Sequence, residues 1–186
     1  VTTLKERALS FTFSAAWKPV IKWDDTDFYR KRVQQLAGTD AVDIVALADD
    51  KLLFIEVKDY RWTTTTPKLW GAELAQKVAE KVRDTVAGLA GASRTAGEGA
   101  KSTIADWTAL GERVADNQTP LFIVLWFETG SYYQSSALQR KKALSDMAQF
   151  IKSRLGWLTT KVFVYDLTDR HNLPGLTVAS LAKPVN

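Results

Sequence analysis

Two apolar runs separated by a pair of aspartates constrain this chain more than any other feature. AVDIVALA (41–48) and KLLFIEVKDY (51–60) flank Asp49–Asp50 and are dense in Val, Ile, Leu and Phe, the residues that suit a pleated, buried surface. They read as a β-hairpin. With Asp49 and Asp50 as the turn, Ala48 faces Lys51 and Asp43 lies directly across from Glu56. Directly opposed residues project on one face, with Cβ atoms ~4.5–5.5 Å apart. Glu56 and Lys58 are two residues apart and share that face, along with Leu52 and Phe54. A two-residue slip in register keeps the set together, whereas a one-residue slip scatters it. The hairpin therefore predicts two carboxylates and an ammonium on a face that begins apolar.

The remaining pattern alternates strands with helices. LFIVLWFE (121–128) is continuous, as in a strand buried on both faces, KVFVYDL (161–167) is a further strand, and Ser10–Ser14 alternates like a short one. Helices are expected from about Thr26 to Ala37, ended by Gly38; from Leu69 to Leu89, with Leu74, Val78, Val82, Val86 and Leu89 at helical spacing; from Ile104 to Ala115; and from Ser135 to Leu155, with Arg140, Lys141 and Lys142 outward. Gly91 to Gly99 reads as a break, Pro19 bars a helix through its segment, and the tail after His171 adds at most a short element. This order predicts an α/β fold with a mixed central sheet flanked by helices, in a single domain over residues 1–186.

Composition narrows the chemistry. The 186 residues include no cysteine and one histidine, which excludes disulfide scaffolds, Cys-ligated metals and thiol catalysis, and leaves His171 alone for any imidazole role. The net charge of +4 permits a polyanionic partner without requiring one. No run approaches the ~18–20 apolar residues of a membrane span. The first residues carry Lys5, Glu6 and Arg7 and lack the apolar stretch of a secretory signal, so a soluble, cytoplasmic protein without membrane partners is expected.

Two carboxylates forced together on an apolar hairpin raise a pKa or recruit a cation. An all-oxygen donor set suits Mg²⁺, or Mn²⁺ in its place, and the carbonyl of Val57 is a further ligand candidate. Lys58 adds a positive charge that can hold a phosphate or an attacking water. Acid, acid, hard metal and lysine make a site for metal-assisted phosphodiester hydrolysis.

Asp43 followed by Glu56-Val57-Lys58, on a hairpin with helices before and after, resembles the PD-(D/E)xK nuclease superfamily over roughly Asp24 to Glu128. The resemblance implies a restriction-endonuclease-like αβββαβ core. Asp43 and Glu56 would be metal ligands, and Lys58 the residue that positions water. It also implies a nucleic-acid substrate, with DNA favoured by the family, and a homodimer where both strands are cut, although no apolar stripe names an interface. Val42 stands where the motif has proline. Only two strands are evident before the long helix where the core has three, and Ser10–Ser14 is the candidate for the third. Asp27 is the candidate helper acid on the first helix. Gln76 fits the Gln of a Gln-x-x-x-Tyr motif, with Glu80 in place of the Tyr.

Arg61, Trp62 and Lys68, in the threonine-rich loop after the hairpin, are candidate nucleic-acid contacts, Trp62 by stacking. Arg140-Lys141-Lys142 is a candidate phosphate contact beside an active site and otherwise a solvated helix face. GEGAKST (97–103) lacks the glycine spacing of a phosphate loop, and His171 reads as a surface or supporting residue. The competing expectation is a binding module for nucleic acid or protein on a degenerate nuclease fold, whose hairpin charges hold no metal.

Overall fold

The computed structural model describes residues 1–63, 70–95, 103–130, 136–168 and 171–182. Strands β1 (Thr2–Glu6), β2 (Leu9–Phe13), β3 (Trp17–Lys22), β4 (Ile44–Ala48) and β5 (Lys51–Asp59) precede helices α1 (Gly71–Thr95) and α2 (Thr103–Ala115). Then come β6 (Leu121–Glu128), α3 (Ala137–Leu155), β7 (Val162–Tyr165) and β8 (Leu176–Ser180). Five strands form one sheet in the order β3-β4-β5-β6-β7, and three form a second in the order β1-β2-β8. In the larger sheet β3, β4 and β5 are antiparallel, while β5, β6 and β7 run parallel. The fold is mixed α/β.

The sheet is covered on both sides, which is why its central strands are apolar on both faces. Leu52, Phe54, Leu121, Ile123, Leu125 and Phe127 face the three helices, in a core with Leu74, Val78, Val82 and Ile151. Leu53, Ile55, Val57, Val124 and Trp126 face the small sheet and pack with Leu9, Phe11 and Phe13. Phe11 meets Trp126 edge-on at 5.6 Å, a geometry worth about 0.5–1.5 kcal/mol beyond the buried area. The hairpin register runs from Ala48 opposite Lys51 to Ile44 opposite Ile55, as the two-aspartate turn requires.

Three expectations are corrected. The third strand ahead of the long helix is β3; the Ser10–Ser14 segment lies in and just after β2, which belongs to the small sheet. Pro19 disguises β3 in the sequence, yet β3 is an edge strand, where a residue without an N–H is tolerated. The helix expected from Thr26 to Ala37 is reduced to a short turn centred on Tyr29–Val33, and it lies between β3 and β4. Phe28, Tyr29 and Val33 pack on the core, but Leu36 is 73% exposed, so no buried face propagates the helix beyond Val33. Helix α1, in contrast, continues through Gly91 to Thr95. Ala92 is buried there, and α2 comes so close at Gly111 that a Cβ on it would lie 2.5 Å from the Leu89 carbonyl oxygen. That packing offsets the ~1 kcal/mol a helical glycine costs. Among the described residues no helix is long and apolar enough to cross a membrane.

Candidate active site

Asp43 immediately precedes β4, and its carbonyl accepts the Trp23 N–H at 3.1 Å, so it is held at the end of the β3–β4 pairing. The segment leading to it is pinned from α1. Asp84 accepts the Asp40 N–H at 3.1 Å, and Thr85 Oγ1 accepts the Val42 N–H at 3.1 Å. Continuing the hairpin register past Ile44 and Ile55 places Asp43 across from Glu56. The Asp43 carboxylate turns onto β5, where its Oδ2 accepts the Val57 N–H at 2.6 Å. A residue's N–H and C=O leave an extended strand on the same side, so the Val57 carbonyl is also directed toward the Asp43 edge of β5.

Glu56 is 1% exposed, a burial that an isolated carboxylate does not tolerate. Two ammonium groups compensate it. Lys58 Nζ donates to Oε1 at 2.6 Å, and Lys81 Nζ lies 2.9 Å from Oε1 and 3.1 Å from Oε2. Lys81 comes from α1 and stands 3.6 Å from Asp40, which Lys77 approaches at 3.5 Å. Burial disfavours the Lys81 charge, but Glu56 and Asp43 outweigh it and raise the pKa. Burial, then the Glu56 charge, push Asp43 up to about 7; Lys81 and the Val57 N–H pull the other way. Asp43 is thus a carboxyl half-protonated near neutrality, and among the described residues no group donates to its Oδ1.

This donor set can be tested against a divalent cation. It offers two carboxylates and a backbone carbonyl, all hard oxygens. One carboxylate oxygen lacks a donor, and burial beside a like charge holds that acid near protonation. The described residues contain no group of three or more His, Cys, Asp or Glu able to cage a metal. Both Glu56 oxygens are engaged by ammonium groups, so a cation held here would keep several waters and take one or two carboxylates, the mode usual for Mg²⁺. Asp43, Glu56 and the Val57 carbonyl are the groups that would hold it.

The other candidate residues are placed as follows. Gln76 is exposed on α1 and bonds Glu80 at 3.1 Å and Arg154 at 2.8 Å; it is not among the groups on Glu56. Asp27 is exposed and pairs with Lys31 at 2.9 Å. Arg61 is committed inward: its guanidinium bonds Asp59 at 2.7 and 2.8 Å, the Ala8 carbonyl at 2.7 Å and Ser180 Oγ at 2.6 Å. Trp62 is 46% exposed, with the Arg61 guanidinium 5.7 Å from its ring centre. Lys68 lies outside the described residues, as do Tyr132, Tyr133 and all of GEGAKST but Thr103. His171 packs on Trp126 and Tyr165, at 5.6 and 5.9 Å, on the small-sheet side of the sheet and away from Glu56.

Two residues escape the sequence reading. Lys81 sits on the stripe Leu74, Val78, Val82, Thr85 that α1 buries, and a lysine inside an apolar stripe must find a carboxylate. Asp24 has a buried Oδ1 with no partner among the described residues. Burial, then the charges of Asp25 and Glu6, push its pKa up to about 6, and it feels Lys81. Comparison of the chain with family models, with curated proteins and with solved structures finds no match.

Proposed function

We propose that the protein is a Mg²⁺-dependent nuclease of PD-(D/E)xK type that hydrolyses phosphodiester bonds of nucleic acid, DNA in preference. The observation that carries this reading is the convergence of Asp43, Glu56 and Lys58 on one buried edge of the hairpin, with Asp43 short of a partner. In support of this reading, the order β3, β4, β5, α1, β6, with α2 added between α1 and β6, matches the βββαβ order such a core would have. The leading helix of αβββαβ has no counterpart at that point in the chain, where β1 and β2 stand instead.

A bound Mg²⁺ would supply Lewis-acid stabilisation of the charge developing on the phosphate. The chain's own residues do the rest. Lys58, on the Glu56 side of the strand and partly open to solvent, orients the attacking water and the phosphate oxygen. Lys81 pairs with the Glu56 carboxylate and holds it in place. Thr85 and Asp84 hold the backbone that delivers Asp43. The water oxygen forms the new P–O bond and releases a proton to solvent, the bond to one sugar oxygen breaks, and the departing oxygen takes up a proton from solvent.

The test is cleavage of plasmid, linear duplex, single-stranded DNA and RNA with Mg²⁺ or Mn²⁺. Glu56→Gln and Lys58→Met should each cut at least about a hundredfold more slowly, the scale of losing one preorganised electrostatic group, with the fold unchanged by circular dichroism. Undiminished cleavage by either variant overturns the assignment. A second reading has an observation of its own: Glu56 already carries two ammonium partners, as a binding module without metal would. Mn²⁺ titration separates the two, since only the nuclease binds the ion through Asp43 and Glu56.

A further inference from the structure

We propose that the pocket between the start of α1 and α3 receives one unstacked nucleobase of the strand being cut, which makes unpaired or locally single-stranded nucleic acid the substrate class. The inference rests on the nuclease reading of the neighbouring carboxylates.

The pocket has a volume of about 170 Å³, and its walls include Trp70, Phe127, Leu144, Met147, Phe150 and Arg140. This is below the ~300–1,000 Å³ of sites for drug-sized ligands. A single planar ring system suits it better than a peptide or a larger cofactor. The walls suit a ring as well. Trp70 and Phe127 pack on each other, 5.2 Å between ring centres and tilted by 60°, as one aromatic wall, and Phe150, 42% exposed, lines the pocket as well. The guanidinium of Arg140 is locked in place by Asp166 at 2.7 Å, so a cation with fixed donors lies at one side of an apolar slot.

Its position connects it to the carboxylates. Phe127 is the parallel register partner of Lys58, and both side chains lie on the helix-facing side of the sheet. The back wall of the pocket therefore stands beside the ammonium that contacts Glu56. A strand whose phosphate rests over Lys58 has an adjoining base within reach of the slot. Lys141, exposed on the first turns of α3, is the cation nearest the path of the next phosphate, while Lys142 is paired at 2.6 Å with Asp146, a carboxylate on the pocket wall. A base inside a duplex cannot enter a walled pocket without leaving its stack. Unpaired substrate avoids that cost, and an aromatic slot of this kind tolerates any base because every base has a π-face.

The experiment measures affinity of the full-length Glu56→Gln protein, without divalent metal, for a short single-stranded DNA, the matching RNA and the duplex. A series of the DNA strand carries one abasic nucleotide at successive positions. The expected result is preference for single strands, with an approximately tenfold loss when the abasic nucleotide occupies one particular position, within the range measured for base–aromatic stacking. Adding Phe150→Ala should weaken the intact strand about as much and leave the abasic strand unaffected, and Phe150→Trp should restore binding. Equal affinity along the whole abasic series overturns the proposal without any variant. So does a Phe150→Ala loss that is the same for intact and abasic strands. If the wild-type protein cuts but the abasic series is flat, the pocket assignment fails alone. If nothing is cut in Mg²⁺ or Mn²⁺ while the positional loss persists, the nuclease reading fails and the pocket stands.

Discussion

Glu56 and Asp59 lie three residues apart on β5, on opposite faces of the sheet, and each has its side chain buried beside cations. Asp59 is saturated. Arg61 gives it a backbone N–H and two guanidinium donors, Ala8 gives a further N–H, and the rest of the Arg61 head bonds the Ala8 carbonyl and Ser180. Burial alone would raise the Asp59 pKa, yet the Arg61 bonds outweigh it and the pKa falls. This cluster ties the end of β5 to the small sheet and has no capacity left. Across the sheet, Glu56 has two ammonium groups, one of them brought from α1, and a second carboxylate in Asp43 that remains short of donors. A buried charge is therefore no mark of function in itself. What separates the two clusters is a second carboxylate with one donor only on one side and a closed set of hydrogen bonds on the other.

The largest effect that sharpens this contrast should come from Arg61→Met. It leaves Asp59 buried with its backbone donors only, and breaking such a pair costs about 3–5 kcal/mol, read as a lower denaturant midpoint. Asp59 has a depressed pKa, so its contribution is present above the ordinary carboxylate range and lost as pH falls; the variant should lose that acid-side dependence as well. Cleavage per folded molecule should be unchanged. Unaltered stability with a raised KM would instead make Arg61 a phosphate contact and dissolve the contrast.

A smaller effect of opposite sign is expected at Asp43. Its pKa rises from 3.8 to about 7 on folding, so the folded state holds the proton more tightly than the unfolded chain. The resulting stability is full below about pH 4 and disappears as pH climbs through about 7. In chelator, Asp43→Asn should be more stable than the wild type at about pH 8, with the advantage vanishing near pH 4. Added Mn²⁺ should raise the wild-type denaturant midpoint at pH 8 and leave that of the Asp43→Asn variant where it was. A wild-type midpoint indifferent to pH over this span would mean that Asp43 already has a partner, like Asp59.

How much of this is legible in the sequence follows the same physics. The hairpin is readable because two apolar runs flank a short turn; its register is less so, since Asp-Asp is a weak turn signal, and the structure has the two-aspartate register. From that register the alignment of Asp43, Glu56 and Lys58 follows without coordinates. Strand β3 is hidden because its residues, WKPVIK, mix charge with a proline at the sheet edge. The turn at Tyr29–Val33 reads as a longer helix because good capping residues open it and Phe28, Val33 and Leu36 fall near helical spacing, but only Phe28 and Val33 pack on the core and Leu36 is 73% exposed. Motif position favours Gln76, whereas helical phase turns it toward Arg154 and gives the inward place to Lys81, twenty-five residues from its partner Glu56. The role of Arg61 is unreadable for a related reason: its acceptors Ala8 and Ser180 lie near the two ends of the chain.

Lys77 should give the smallest effect and the finest test of the contrast. It stands at the outer margin of the ammonium groups, 3.5 Å from Asp40 and 3.8 Å from Glu80, with about a third of its side chain exposed. Exposed pairs of this type contribute ~0–1 kcal/mol, so Lys77→Ala should barely move the denaturant midpoint. If the open side of the sheet meets a nucleic-acid backbone, however, losing this cation removes one phosphate contact. The slope of log affinity against log salt should then fall by about 0.7–0.9, with affinity reduced at low salt and nearly equal at high salt. The corresponding neutralisation on the closed side, at Arg61, should shift stability and leave the salt slope unchanged. Equal salt slopes for wild type and Lys77→Ala would place the substrate backbone elsewhere, while a changed slope would mark the Asp40 edge of α1 as part of its path.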